Sequence, residues 1–283
     1  MSGTKKPMLV FQTDFTYKEG AVSAMYGVVK SVDRTLEIID GSHEIPKYDT
    51  WSASYRLFQT VRFWPAGTVF VSVVDPGVGT PRRACVALTE SGHYIVTPDN
   101  GALTHLDVSP GIIQVREINE KVNRRPASSG TNVFHGRDLF GYCAARLASG
   151  IISFEEVGSE YPVSRIVRHP LVSSTVEGGV VSGIFEIGDP NFGNLWTNIP
   201  RKQFTQAGFA FGDRLQVTVS HGDAVFFSQI VLFQSSFGYV TKGEPIIYVN
   251  EMERIGLALN QDDICARHGL HFGSDWMVSF ARP

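Results

Sequence analysis

The stretch that most limits how this chain can fold is an unbroken apolar run, Val69-Phe70-Val71-Ser72-Val73-Val74. It gives way at once to Asp75-Pro76-Gly77-Val78-Gly79-Thr80-Pro81-Arg82-Arg83. Such a run, bounded by turn residues, reads as a buried strand of a parallel sheet. A charge at the carboxyl end of a buried strand stands where open α/β sheets keep their ligands. From the residues alone, Asp75 is open to two readings. It can close a tight turn as an ion pair with Arg82 or Arg83, or it can face a ligand.

The segments before and after this stretch carry the same pattern. Met8 to Phe11 is a short strand that ends in Gln12-Thr13-Asp14, a second carboxylate at a strand end. Val22, Met25, Tyr26, Val29 and Val32 then recur at helical spacing. Leu36 to Asp40 is the next strand, and Gly41 to Pro46 a turn holding His43 and Glu44. Asp49 caps a helix whose Trp51, Tyr55 and Phe58 share a face, and Pro65 ends it. Ala84 to Leu88 and Tyr94 to Val96 follow as strands, the second leading into the turn Thr97-Pro98-Asp99-Asn100-Gly101. Residues 119–132 form a polar surface loop or lid, and a helix carrying Phe140, Cys143, Ala144 and Leu147 runs to Gly150. Strands alternating with helices predict an α/β domain with a mostly parallel sheet over residues 1–162.

Residues 163–176 show no period and read as a linker. Beyond them, 177–283 is a series of short β-rich runs between Gly, Asn and Asp turns, with no long helix. That predicts a second domain, an antiparallel sheet or small β-barrel.

Composition matters here for what it removes. A net charge of −3 and a pI near 6.2 oppose nucleic-acid binding, which would need a basic face. No apolar run approaches the ~18–20 residues of a membrane span. The first residues hold too short an apolar stretch for a secretory signal, and Cys85, Cys143 and Cys265 are widely spaced and odd in number. These features predict a cytoplasmic protein with reduced thiols and no membrane partner.

The polar clusters admit several chemistries. Asp14 and Asp75 at strand ends can hold ribose hydroxyls, bind a metal, or work as acid and base; Asp14 can equally be a helix cap. His135 lies between Phe134 and Gly136, just before a helix opened by Arg137-Asp138. Asp189-Pro190-Asn191-Phe192-Gly193-Asn194-Leu195-Trp196 combines flat side chains with an amide that suits an adenine edge, or is a packed glycine turn. Gly77-x-Gly79 lacks the third glycine and the following helix of a dinucleotide fingerprint.

Five motifs taken together carry a resemblance that none carries alone. They are Thr13-Asp14-Phe15, Val74 to Thr80 with Arg82-Arg83, Pro98 to Gly101, His135-Gly136-Arg137-Asp138, and Phe192-Gly193-Asn194 with Thr197-Asn198-Ile199. In this order they resemble the S-adenosyl-L-methionine (SAM) hydroxide adenosyltransferase family, related to fluorinases and chlorinases. The resemblance spans residues 8–265. It implies an α/β domain followed by a β-barrel, and a homotrimer with active sites between subunits. It implies hydrolysis of SAM to adenosine and L-methionine, with SAM as substrate and no cofactor or metal.

The resemblance also implies roles. Asp75, Arg82 and His135 match the set that handles water. Asp14 matches the ribose-holding carboxylate and Asn194 the adenine-binding amide. Tyr48, Phe134, Gly136, Phe192 and Trp196 fall at positions lining the nucleoside pocket, and Asp189 beside them. Arg83, which points the other way in an extended chain, is expected to be structural. The amino-acid end of the site departs from the family: Glu19 stands for an aspartate, and Glu251 and Glu253 replace small residues. Glu19 and Glu251 remain candidates for the methionine ammonium, and Arg254 for its carboxylate.

The implied chemistry is self-consistent. Attack at ribose C5′ displaces a sulfonium, which needs no acid to leave, so the protein must supply position and a nucleophile. An adjacent arginine favours a charged carboxylate, which can orient water and take its proton. A halogenase would need hydroxyl-bearing residues around a desolvated anion, where this chain has Asp75, Val78 and Gly136. A non-catalytic adenosyl-binding protein would need no such water-handling set, and a metal-dependent hydrolase would use Asp14 and Asp75.

Overall fold

The structure, a computed structural model, describes residues 6–126, 128 and 130–283. The chain divides into two compact units, Met1–His169 and Pro170–Pro283.

In the first unit a six-stranded sheet has the order β2-β1-β3-β5-β4-β6. Its strands are β1 (Leu9–Thr13), β2 (Ile38–Ser42), β3 (Val69–Val73), β4 (Ala84–Thr89), β5 (Tyr94–Pro98) and β6 (Ile112–Glu117). The pairs β1–β2, β1–β3 and β3–β5 are parallel, while β4 runs antiparallel to both β5 and β6. β1 and β3 are buried throughout because both faces of the sheet are covered. Leu9, Phe11, Val69, Val71 and Val73 pack on one face with α1 (Ala21–Val32). Val10 and Phe70 pack on the other with Leu57 of α2 (Thr50–Thr60) and Leu106 of α3 (Thr104–Val108).

Helix α1 has no side-chain N-cap; packing holds it instead. Its Val22, Met25, Val28 and Val29 are buried. At ~1.5–3 kcal/mol per buried apolar side chain, these contribute on the order of 6–12 kcal/mol as an upper bound. Asp49 caps α2 as expected, its carboxylate accepting from the Ser52 amide. The loop after β6 contains the short helix α4 (Glu120–Asn123). The helix expected after His135 begins as a π-helical turn, Gly136–Gly141, before settling into α5 (Tyr142–Ala148). Such wide turns recur where side chains are held for function.

The second unit is a closed ring of seven strands with β7 (Thr175–Glu177) added along β8 (Val180–Gly188). The ring runs β8, β9 (Leu195–Pro200), β13 (Arg254–Leu259), β12 (Pro245–Val249), β11 (Ala224–Phe233), β10 (Arg214–His221), β14 (Trp276–Ala281) and back to β8. All its pairings are antiparallel except β11–β12. Alternation fills it: Leu215, Val217 and Val219 of β10 point inward to meet Phe185, Phe227 and Phe280. At Gly183 a Cβ would lie 2.3 Å from Asn198 Oδ1, so only glycine lets the strands approach there. Two short helices, α6 (Arg201–Gln206) and α7 (Ile264–His268), complete the unit. The expected order, a mostly parallel α/β sheet and then an antiparallel barrel, is what forms. Among the described residues no helix is long and apolar enough to cross a membrane.

Candidate active site

Strands β1 and β3 pair in register, Thr13 beside Val73. Their carboxyl ends therefore release Asp14 and Asp75 side by side at one edge of the sheet. Here Asp14, Phe15, Lys47, Tyr48, Val73, Asp75, Val78, Val133, Phe134, His135 and Gly136 line a cavity of about 300 Å³.

Backbone and side-chain bonds hold the edge in place. Asn100 Nδ2 donates to Val74 O at 2.9 Å, tying the Pro98–Gly101 turn to the end of β3. Thr13 Oγ1 lies 2.8 Å from Nδ1 of the buried His43 and accepts from the Phe15 amide at 3.1 Å. Asp14 Oδ2 accepts from the Tyr48 amide at 2.9 Å. That bond holds Tyr48 at φ 66°, a left-handed conformation a tyrosine rarely adopts. Such strain persists where surrounding contacts over-determine it. The Tyr48 ring is 71% exposed.

The two arginines of the opening turn go opposite ways. Arg82 Nε donates to Asp75 Oδ1 and Oδ2 at 2.9 and 3.1 Å, and its Nη2 also reaches Asp75. The same Nη2 lies 2.8 Å from His135 Nδ1. Arg83 instead binds Asp99 and covers the ring of Tyr161, which also donates to Asp99. Asp99 thus belongs to the scaffold behind the strand ends.

The Arg82–His135 contact decides the histidine's chemistry. A guanidinium only donates, so His135 Nδ1 must accept, and the ring proton sits on Nε2. His135 Nε2 is buried and has no hydrogen-bond partner among the described residues. Burial, and then the charge of Arg82, hold the His135 pKa below the ordinary value of 6.5. The neutral imidazole therefore offers one buried N–H. A side chain at Gly136, next to it, would crowd its neighbours. A Cβ there would come 3.2 Å from the Phe15 ring and 3.4 Å from Val73 Cγ1.

Behind the histidine, Arg137 and Arg125 both bond to the buried Asp138. Asp138 is held ionised below the ordinary carboxylate value because these two arginines outweigh its burial. Arg137 is thus fully engaged in holding the π-helical turn.

A second cavity, of about 820 Å³, lies in the barrel unit. Asn191, Phe192, Asn194, Phe237, Gly238, Leu259, Asn260, Gln261, Asp262 and Asp263 line it. Phe192 is 65% exposed into it, and Asn194 is buried. Asp189 is not in its wall; its Oδ1 accepts from the Asn191 and Phe192 amides and shapes the loop. Trp196 lies deeper. It is only 7% exposed, donates Nε1–H to Tyr248 OH at 2.8 Å, and does not line this cavity. Its place in β9, two residues past Asn194, puts it on the strand rather than in the loop. Asn198 likewise serves the fold, accepting from the Ile184 amide at 2.9 Å.

The candidates for the amino-acid end make local contacts. Glu19 Oε1 accepts from the Ala21 amide at 2.9 Å at the start of α1. Arg254 forms an ion pair with the buried Glu186 of β8. Glu251 is exposed in the turn between β12 and β13.

The chain matches the family model of the SAM hydroxide adenosyltransferase N-terminal domain over residues 9–158 and of its C-terminal domain over 186–277. It belongs to the SAM hydroxide adenosyltransferase family. The (R)-S-adenosyl-L-methionine hydrolase of Salinispora tropica is 32% identical over 262 residues, 90% of each chain. A fluorinase of an Actinoplanes species is 29% identical over 298 aligned residues, 96% of this chain and 97% of that one. A crystal structure of an uncharacterized conserved protein from Thermotoga maritima superposes with a TM-score of 0.85 at 31% identity. It covers 97% of this chain and 100% of that one.

Several lining residues of this family member escaped the motifs. Lys47, Val133 and Phe237 carry no signal in a single sequence, since an exposed lysine or valine in a turn looks like solvated surface. Only the folded chain brings Lys47 and Val133 to the sheet-edge cavity and Phe237 to the barrel cavity.

Proposed function

We propose that the protein hydrolyses SAM to adenosine and L-methionine by direct attack of water at ribose C5′. The observation that carries this reading is the Asp75–Arg82–His135 arrangement, with its one buried and unpartnered N–H at the wall of the 300 Å³ cavity. Asp14 accepts from the ribose hydroxyls on the same sheet edge, while Tyr48, Phe134 and Gly136 shape the pocket around the sugar. The barrel cavity takes the adenine, with Asn194 reading its edge and Phe192 covering its face.

In the proposed reaction a water oxygen accepts from His135 Nε2–H and donates to Asp75. As the O–C5′ bond forms, the C5′–S bond breaks and its electron pair returns to sulfur. Methionine leaves as a neutral thioether, and the water proton passes to Asp75 and then to solvent. The tautomer makes His135 a donor that orients the water and Asp75 its base. Such a base contributes ~10²–10⁴-fold, with alignment along the C–S bond adding separately. Water and SAM are the only reactants. We further propose that the chain works as a homotrimer in which a complete site takes residues from two copies. Light scattering of the purified protein tests that point.

The test of the reaction is direct. Purified protein incubated with SAM in H₂¹⁸O should release methionine, and adenosine carrying ¹⁸O at its 5′-hydroxyl. Adenosine without the label would refute direct attack by water. A 5′-halo-nucleoside formed in chloride or fluoride would assign the site to halide instead.

A further inference from the structure

Besides His135, whose ring is neutral, the cavity at the sheet edge has one basic residue in its wall, Lys47. Its ammonium makes no hydrogen bond or ion pair with the described residues, and its side chain is exposed. Within one copy, the other cations considered for this site are engaged. Arg82 serves Asp75 and His135, Arg137 serves Asp138, and Arg254 is paired with Glu186.

Lys47 is also presented by a rigid turn. The Asp49 amide donates to Pro46 O at 3.1 Å, the Tyr48 amide to Asp14 Oδ2, and Asp49 caps α2. The backbone on either side of Lys47 is therefore fixed beside Asp14. Only its long side chain is free to follow a ligand.

SAM carries two positive groups, the sulfonium and the ammonium, and a single negative one, the methionine carboxylate. The carboxylates of Asp14 and Asp75, engaged with the ribose and the water in the proposed reaction, make the wall acidic and disfavour the methionine carboxylate unless a cation stands beside it. We infer that Lys47 is the residue that binds the methionine carboxylate, so that it selects substrates with an intact amino-acid end. The inference rests on the proposed SAM hydrolysis. It gives Arg254 a structural place in the barrel wall and assigns the carboxylate to a residue the sequence motifs do not mark.

The experiment pairs the enzyme with two substrates that differ by one group, SAM and its decarboxylated analogue. Lys47→Gln should raise the KM for SAM by about tenfold, the size of a charged contact at a half-open site. Lys47→Arg should recover most of that. The KM of Lys47→Gln for decarboxylated SAM should stay within about twofold of the wild-type value, because the contact it loses is absent there. Equal effects on both substrates, or none on either, would overturn the inference. Calorimetric binding of both compounds runs beside the kinetics. If the wild type binds SAM without turnover, the hydrolase reading fails on its own, and the same comparison of Kd values still decides the role of Lys47.

Discussion

Removing Arg82 tests the centre of the site most severely. Arg82 and Asp75 form an ion pair whose side chains are only 10% and 5% exposed. Arg82→Ala leaves Asp75 buried without its cation and His135 Nδ1 without its donor. Breaking a buried pair from one side typically costs ~3–5 kcal/mol. At ~2–4 °C per kcal/mol for a unit of this size, melting of the α/β unit should fall by about 6–20 °C. Asp75→Asn alone should also destabilise, because Arg82 then keeps its charge without a counter-charge. In the double variant neither charge remains, and the loss should be smaller than the sum of the two by about 1–3 kcal/mol. Urea unfolding of the wild type and the three variants measures this cycle. kcat should fall by about 10²–10⁴-fold in either single variant and should not recover in the double. Two losses that add within about 0.5 kcal/mol would show that the pair is not coupled, and the account of the site would be wrong.

Other outcomes follow from the same geometry. Because burial and Arg82 hold the His135 pKa below its ordinary 6.5, the neutral ring should persist through pH 6.5. Its share of stability is complete above the unfolded value and is lost as pH falls through the lower folded one; the acid limb of kcat should move with it and vanish in His135→Asn. Gly136→Ser should lower kcat about tenfold or more, since its Cβ must displace Phe15 or Val73, and a crystal structure or near-ultraviolet spectrum would register the shifted ring. Phe192→Ala should raise the KM for SAM while changing melting by less than about 2 °C, because the ring is largely exposed; equal KM would remove Phe192 from the adenine site.

The parallel core was legible because buried strands leave an unbroken apolar signature, and β1 and β3 carry it. The barrel was legible as a change of period, since strands wet on one face alternate. The second strand was placed two residues early, because Leu36 is buried beside the strand rather than in it. The π-helical turn at Gly136 has no sequence signal distinct from an ordinary helix start. Its cause lies in packing: Gly136 seats against Phe15 while Asp138 is drawn to two arginines. The tautomer of His135 was beyond reach for the same reason. Sequence shows that an arginine and a histidine exist 53 residues apart; only their 2.8 Å contact orders donor and acceptor. That Trp196 is buried on β9 and bonded to Tyr248 was likewise not legible, because two residues of strand separate it from the environment of its neighbour Asn194.

That contact also bears on why the site suits water better than halide. A halide brought within about 4 Å of Asp75 would meet a repulsion of on the order of 4 kcal/mol at an effective dielectric of 20. Arg82 offsets part of it, but the guanidinium is already committed to Asp75 and His135. Val78 and Gly136 supply no side-chain donor. Among the described residues the buried unpartnered donor in the wall is His135 Nε2–H, and an anion cannot use it without also facing the Asp75 carboxylate. Water can use both at once, since it accepts from the imidazole with a lone pair and donates to the carboxylate with a proton. In the proposed reaction the same donor–acceptor pair that repels a halide therefore aligns a water molecule and receives the proton it must lose. On this reasoning the choice between the two nucleophiles is made by Asp75, and replacing it by a neutral residue should abolish hydrolysis before it permits any halide transfer.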